Sequence, residues 1–194
     1  MPQARNRAVM TTPARFAKQI AGGARAVPSA RVGNWLFSFA FIVAFLVVFG
    51  GFVRLTRSGL SITEWNPISG AIPPLGEQAW LTEFLKYQQT PEFQQINFEM
   101  TLEEYKYIFY IEWIHRFIAR FAGVVYAIPV FAFLFTKQIP FKEFGIYFVM
   151  GVLFIAQAFA GWIMVASGLV DRPSVSHFNL TIHLLLALAL LDRK

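Results

Sequence analysis

Four long runs of apolar residues follow one another along this chain, and their lengths predict helices that cross a membrane. We expect spans at residues 33–53, 105–135, 144–170 and 174–191. A helix needs about 20 mainly apolar residues to cross the hydrocarbon core of a bilayer. In the second run only residues 121–136 are uncharged, so its charged first part must lie in the outer half of the bilayer. The pattern predicts an all-α integral membrane protein in which residues 33–194 form a four-helix transmembrane bundle.

The connection between the first two predicted spans, residues 54–106, is a long outer loop. Its first part, residues 58–75, is rich in turn-forming residues yet apolar, which favours packing over a site in the membrane. Residues 77–86 can form a short amphipathic helix. Thr101 followed by Glu104 is a capping box, which predicts that the next helix begins before the chain re-enters the membrane.

Composition supports the same class of protein. Of the 194 residues 56% are hydrophobic and only 14% are charged, against about 25% charged in average usage. The chain has no cysteine, which excludes disulfides, thiolate metal sites and a cysteine nucleophile. Its net charge of +6 does not indicate nucleic-acid binding, because the lysines and arginines flank apolar runs instead of forming a patch. We expect a lipid bilayer as its surroundings.

Charge also predicts the orientation of the chain. Residues 1–32 carry six basic side chains and no acidic one. Because basic residues concentrate on the cytoplasmic side of membrane proteins, we expect both termini in the cytoplasm and residues 54–106 outside. An Arg-rich, acid-free N-terminus is also typical of a mitochondrial transit peptide. We favour a basic cytoplasmic tail that fixes the orientation.

Ionisable side chains cluster near the start of the second predicted span. Glu112, His115 and Arg116 fall within five residues, and on a helix they are near neighbours. His183 lies in the fourth span, about eight residues from its outer end, which is a depth of roughly 12 Å and equals that of His115. Ionisable groups inside a membrane are costly, so they indicate a functional site.

Two interpretations of the histidine pair are open. His115 and His183 could hydrogen-bond to neighbouring helices, or they could face each other and bind the iron of a haem, as bundle cores allow. Their equal depth and the small residues on their faces favour the haem. Arg116 and Arg120 could reach the outer interface or hold haem propionates. Glu112 could pair with Arg116 or transfer protons at the haem edge. We expect His177, at the interface, to be solvated or bonded to the outer loop.

These residues lie in a sequence that resembles the haem A synthase family, membrane enzymes that convert haem O to haem A. The resemblance rests on RLTRSGLS at 54–61, EWNP at 64–67, GAIPP at 70–74, EWIHR at 112–116, GWIMVASGL at 161–169, and VS at 175–176 with His183. The absence of cysteine from the outer loop is similar to the proteobacterial and mitochondrial branch of that family.

The resemblance implies a larger protein of eight spans in two similar halves, each with a histidine pair. The first half would hold the substrate haem O and the second a haem b that relays electrons. Residue by residue, His115 and His183 match the first-half iron ligands, Arg116 and Arg120 are the candidate cofactor-binding arginines, and Glu112 matches the family's catalytic glutamate. This chain corresponds to the first half, so we expect either a fragment or an association of two copies.

The function implied is oxidation of a methyl group of haem O to the formyl group of haem A, for cytochrome oxidase biogenesis. Three alternatives stay open: a bis-histidine membrane cytochrome b that only transfers electrons, an inactive half that lacks the electron relay, and a structural or assembly subunit without haem. The resemblance further implies a bacterial inner membrane, with the mitochondrial inner membrane as the alternative. The implied partners are haem O synthase, cytochrome oxidase assembly factors and a homo-oligomer.

Overall fold

The computed structural model describes residues 29–170 and 172–192, and within those residues it is helical with no strand. Most of the predicted basic tail, residues 1–28, lies outside the described residues. In chain order the α-helices are α1 (Ala30–Leu55), α2 (Glu77–Gln88), α3 (Pro91–Gln95), α4 (Leu102–Phe135), α5 (Phe144–Ala166) and α6 (His177–Leu191), with short 3-10 turns at Ser69–Ala71 and Phe141–Glu143. The predicted all-α class is confirmed.

Three of the apolar segments are long enough to cross a membrane: Ala30–Leu55, Leu102–Phe135 and Phe141–Ala166. The helix α6 is equally apolar but has 15 residues, fewer than the about 20 that a perpendicular span needs. The helix within the third predicted span ends at Ala166 instead of residue 170, and α6 begins at His177, three residues after the predicted start. The chain is therefore a multi-pass membrane protein with a short fourth helix in the same bundle.

The four apolar helices form a closed ring in which each packs against two neighbours. Helix α1 contacts α4 and α6, and α5 contacts the same two helices. As a result α4 and α6 occupy opposite corners of the bundle. Aromatic residues fill one end of its core, where Trp35 of α1 donates a hydrogen bond to the Val125 carbonyl over 2.7 Å and Tyr126 donates one to the Tyr147 carbonyl.

Residues 56–101, between α1 and α4, form a folded unit that we call the outer cap. Its helix α2 packs on the first turns of α4, around the stacked rings of Tyr87 and Tyr105, whose centroids are 5.0 Å apart. Thr101 caps α4 as predicted, because its hydroxyl accepts from the Glu104 N–H and the Glu104 carboxylate accepts from the Thr101 N–H. The capping box thus begins α4 inside the cap, well before its apolar part.

A carboxylate is buried within the outer cap. Glu92 of α3 is 3% exposed, accepts a hydrogen bond from the Tyr87 hydroxyl over 3.3 Å, and lies near the negative charge of Glu112. Burial is the main cause that raises the pKa of Glu92 to about 7, with Glu112 adding to it and Arg57 opposing it. Burial also raises the pKa of Tyr87.

This buried carboxylate makes the stability of the cap depend on pH. The folded cap binds the Glu92 proton more tightly than the unfolded chain does, so the stabilisation is complete below about pH 4.5 and is lost as the pH rises through about 7. At about 1.4 kcal/mol per pKa unit, the loss amounts to about 3 kcal/mol. Hydrogen exchange of cap amides, corrected for intrinsic rates, measures it.

Glu92→Gln should remove that pH dependence, because the amide does not ionise. Glu77→Gln is the matched control, since Glu77 is an exposed cap residue. Equal pH dependence of exchange in the wild-type protein and in Glu92→Gln would contradict the assignment to Glu92.

Candidate functional site

His115 points from α4 into the interior of the bundle, where a glycine gives it room. A Cβ atom at Gly50 of α1 would lie 3.2 Å from the His115 Nε2. The ring of Phe49 lies nearly parallel to the imidazole, at 11°, with the centroids 6.2 Å apart. The neighbouring Gly51 faces open space, so the close approach is specific to Gly50.

His183 is held in a similar way by a different pair of helices. A Cβ atom at Gly161 of α5 would lie 2.9 Å from its Cε1. The Nδ1–H of His183 donates to the backbone carbonyl of Gln157 over 3.1 Å. The side-chain nitrogen of Gln157 lies 3.4 Å from the Nε2 of His183. Because Nδ1 carries the proton, the lone pair is on Nε2, where it accepts from the Gln157 side-chain nitrogen and where a metal would bind in its place.

The two histidines predicted as a pair belong to opposite corners of the same bundle. Each is half-buried and contacts a glycine of an adjacent helix, where a larger side chain would meet the ring. Two imidazoles on different helices of one bundle fit a haem iron with two axial nitrogen ligands.

Glu112 faces the outer cap and not the histidines. Its side chain is 3% exposed and accepts four hydrogen bonds. One oxygen accepts from the Ser61 hydroxyl over 2.7 Å and from the Ile62 N–H over 2.9 Å, and the other accepts from Nε and Nη2 of Arg116 over 3.0 and 2.6 Å. Four hydrogen bonds to one carboxylate hold it in a single position.

The remaining polar side chains on this face of α4 hold the backbone of the cap. Arg116 donates to the carbonyls of Ile62 and Glu64, Arg120 to those of Asn66 and Pro67, and the Trp113 indole to that of Gly70. Together they fix five carbonyl oxygens between residues 62 and 70. We call this arrangement, with Glu112 and Ser61, the cap latch.

Two further contacts join residues 62–70 of the outer cap, called the cap segment below, to neighbouring helices. Lys86 of α2 forms an ion pair with Glu64 over 3.0 Å, and its hydrogen bond lowers the pKa of Glu64. Trp65 stacks on Trp162 of α5 with the ring centroids 5.0 Å apart. The cap segment therefore touches α2, α4 and α5 and covers the outer side of the bundle.

Arg116 and Arg120, the predicted partners of the propionates, use most of their N–H groups in hydrogen bonds to Glu112 and to the cap segment. Within residues 29–170 and 172–192, the Nη1 of Arg120 is the buried guanidinium nitrogen that has no hydrogen-bond partner. Both arginines line a cavity of about 330 Å³ beneath the cap, together with Glu64, Asn66 and other cap residues. Of the predicted site residues, Glu112, Arg116 and Arg120 contact the cap, whereas His115 contacts α1 and His183 contacts α5 within the bundle.

Several residues of this site carry little signal in the sequence. Gln157 stands out as a strongly polar residue in an apolar helix, but nothing in the pattern places it against His183. The sequence does not indicate which of the adjacent glycines, Gly50 or Gly51, contacts a histidine. Ser61 is one of several hydroxyl-bearing residues in a turn-rich segment, so the sequence does not single it out. His177, the first residue of α6, is exposed, which fits the expected solvated side chain.

Comparison with known proteins places the chain among cytochrome oxidase assembly proteins. The COX15-CtaA profile, described as cytochrome oxidase assembly protein, matches residues 33–192. A protein named heme A synthase from Wolbachia pipientis subsp. Culex pipiens is 51% identical over 82% of this chain and 48% of its own length. A protein of the same name from Rickettsia bellii is 43% identical over 79% of this chain and 46% of its own length. Another, from Ehrlichia canis, is 44% identical over 79% of this chain and 44% of its own length.

These matches have a defined extent. The chain spans about half the length of the curated relatives it matches. No solved structure matches it.

The cap latch predicts a large effect of Arg116→Lys. Lysine has a single ammonium group, which cannot reproduce the fork that binds Glu112 and two carbonyls. Each lost hydrogen bond to a charged group is worth about 1.5–3 kcal/mol, so amide exchange in residues 61–70 should accelerate tenfold or more. Hydrogen exchange with mass spectrometry measures this. Arg172→Lys, at an exposed arginine, is the control, and equal exchange in the two variants would show that Arg116 does not hold the cap.

Proposed function

The chain belongs to the COX15-CtaA family of cytochrome oxidase assembly proteins, and we propose that it forms the haem O-oxidising half of a haem A synthase. In this proposal it binds haem O within the bundle and oxidises a methyl group of the macrocycle to a formyl group. The observation that carries the proposal is the presence of two histidines, His115 and His183, within one apolar bundle, each seated against a glycine of a neighbouring helix.

The histidines are proposed as the axial ligands of the iron. Histidine nitrogen is a usual haem ligand, and the bond from Nδ1–H to the Gln157 backbone carbonyl leaves Nε2 of His183 as the nitrogen that would bind the iron. The bound haem would supply the iron redox chemistry of the oxidation. The protein's own part is to fix the ring between two helices and, through the cap and bundle, to exclude bulk water from it.

Glu112 is proposed as the catalytic residue, one helical turn from His115. The cap latch adds a second possible contribution, since the same carboxylate fixes residues 61 and 62. Arg116 and Arg120 are proposed to bind the propionates. Among the described residues, the Nη1 of Arg120 is a buried donor without a hydrogen-bond partner. The cavity that both arginines line would admit a carboxylate from below the cap.

The wider setting follows from the same proposal. We place the protein in the inner membrane of a bacterium with both termini in the cytoplasm, so that the cap lies on the outer side. Haem b and the electron relay are assigned to the other half of the full-length relatives or to a second copy of the chain. Haem O synthase would supply the substrate, and assembly factors of cytochrome oxidase would take the product.

Haem binding tests the proposal directly. The purified chain should bind haem O with the absorption spectrum of a low-spin bis-histidine haem, and both His115→Ala and His183→Ala should lose that spectrum. Extraction of the pigment after incubation in membranes with an electron acceptor should give haem A. A stable bis-histidine spectrum with haem O recovered unchanged would indicate an electron-transferring cytochrome b instead, and no haem binding would refute the proposal.

The glycines supply matched controls for the position of the two ligands. Gly50→Ala adds a methyl group 3.2 Å from the His115 ring, whereas Gly51→Ala adds one in open space on the same helix. Gly161→Ala and Gly145→Ala form a second such pair on α5. The low-spin spectrum should weaken in the first member of each pair and persist in the second.

The role of Glu112 is tested by comparing Glu112→Gln with Ser61→Ala. Both disturb the latch, because the glutamine NH₂ would face donors and the alanine removes one donor, but only Glu112→Gln removes the ionisable group. If Glu112 handles protons, Glu112→Gln should lower haem A formation by about 10²–10⁴-fold and Ser61→Ala by far less, at equal haem content. Equal losses, together with equally fast exchange in residues 61–70, would assign Glu112 to holding the cap alone.

A further inference from the structure

Gln157 places an unsatisfied amide beside the histidine that the proposed function assigns to the iron. It lies on α5, and its neighbours one turn away on the same helix are Leu153, Phe154 and Gly161. Within the described residues, its buried Oε1 has no hydrogen-bond partner. Buried polar atoms in folded proteins nearly always have a partner, so this acceptor is available to a donor on a bound molecule.

The orientation of this amide follows from the protonation of His183. The Nδ1–H of His183 donates to the backbone carbonyl of Gln157 over 3.1 Å, so the Nε2 of His183 can only accept a hydrogen bond. The side-chain group of Gln157 that lies 3.4 Å from that Nε2 must therefore be the NH₂ group, which leaves Oε1 as the free atom. Exchanging the two ends of the amide would set an acceptor against an acceptor.

Metal binding at His183 would change what the amide needs. When the Nε2 lone pair is given to an iron, the NH₂ group loses its acceptor, and Oε1 still lacks a donor. Gln157 then presents one donor and one acceptor side by side. A hydroxyl group satisfies both at once, because its O–H donates to Oε1 and its oxygen accepts from the NH₂ group. A methyl group satisfies neither, and a carboxylate would set acceptor against acceptor at Oε1.

We propose that Gln157 is a specificity-determining residue that binds a hydroxyl group carried by the haem substrate. The inference rests on the proposed function, since it requires a haem on His183. Two hydroxyl groups have this chemistry: the one on the hydroxyalkyl side chain of haem O, and the one on the hydroxymethyl group formed when the ring methyl is first oxidised. Haem b carries neither and should be indifferent to Gln157.

Titration of the purified full chain with three haems tests the proposal. Haem O, haem b and the hydroxymethyl derivative of haem O are added to the wild-type protein and to Gln157→Met, and binding is followed by absorbance. A neutral hydrogen bond changes affinity by about three- to tenfold. We expect Gln157→Met to weaken one or both hydroxyl-bearing haems by that factor relative to haem b. A shift for haem O identifies the side-chain hydroxyl, and a shift for the hydroxymethyl derivative alone identifies the product of the first oxidation.

The control and the opposing outcomes are well separated. Gln138→Met makes the same chemical change at the turn after α4 and should leave all three affinities unchanged. Equal weakening of all three haems by Gln157→Met, or no change, would overturn the proposal, including the case where a water molecule satisfies the amide. If the wild-type chain binds no haem, both the proposed function and the role of Gln157 fail. If it binds all three haems and Gln157→Met does not discriminate between them, only the role of Gln157 fails.

A second variant and a second measurement guard against a folding defect. Gln157→Asn keeps an amide but shortens it, and it should lose the same discrimination between haem O and haem b. Without haem, Gln157→Met loses the bond from the Gln157 NH₂ group to His183 and also removes an unpaired buried acceptor. The two effects oppose each other, so the melting temperature of the haem-free variant should stay close to that of the wild-type protein, which shows that the variant is folded.

Discussion

The buried carboxylate of Glu112 is the constraint on which the arrangement of the outer cap depends. A charge with 3% exposure is tolerated in a protein only when donors surround it, and here the donors come from two parts of the chain: Arg116 of the same helix and Ser61–Ile62 of the cap. Removing the cap would leave the anion half-satisfied in an apolar setting. The cap and α4 are therefore bound to fold against each other.

The same constraint explains why a segment with little regular structure can be held firmly. Residues 62–70 form one short 3-10 turn and otherwise no helix, so most of their carbonyls lack partners within the segment. The side chains of α4 supply those partners through two guanidinium groups and one indole. Arginine suits this task because it keeps its charge and offers five N–H groups in a rigid plane. The latch thus replaces secondary structure in the cap.

Sequence and structure agree where a local rule applies and diverge where partners come from distant residues. Hydrophobic run lengths and the capping box at Thr101 predicted the class, the order of the helices and the start of α4, because each depends on neighbouring residues. The pairing of Glu112 with Arg116 was also among the interpretations, since four-residue spacing joins them on a helix. Ser61 lies 51 residues from Glu112, and no periodicity reports such a contact. The seating of His183 against Gly161 and Gln157 depends likewise on how two helices pack.

Helix α4 connects the two parts of the site because it presents different groups on adjacent faces. Positions 112, 116 and 120 repeat every four residues and form one stripe, and all three bind the cap. His115 is offset from Glu112 by three residues, about 300° around the helix, which turns it toward α1 and the bundle interior. Any rotation of α4 that moved His115 would pull the stripe away from the four cap carbonyls that Arg116 and Arg120 bind. The latch therefore also fixes the direction in which the imidazole of His115 points. A rigid outer cap in this way holds the proposed iron ligand in one orientation.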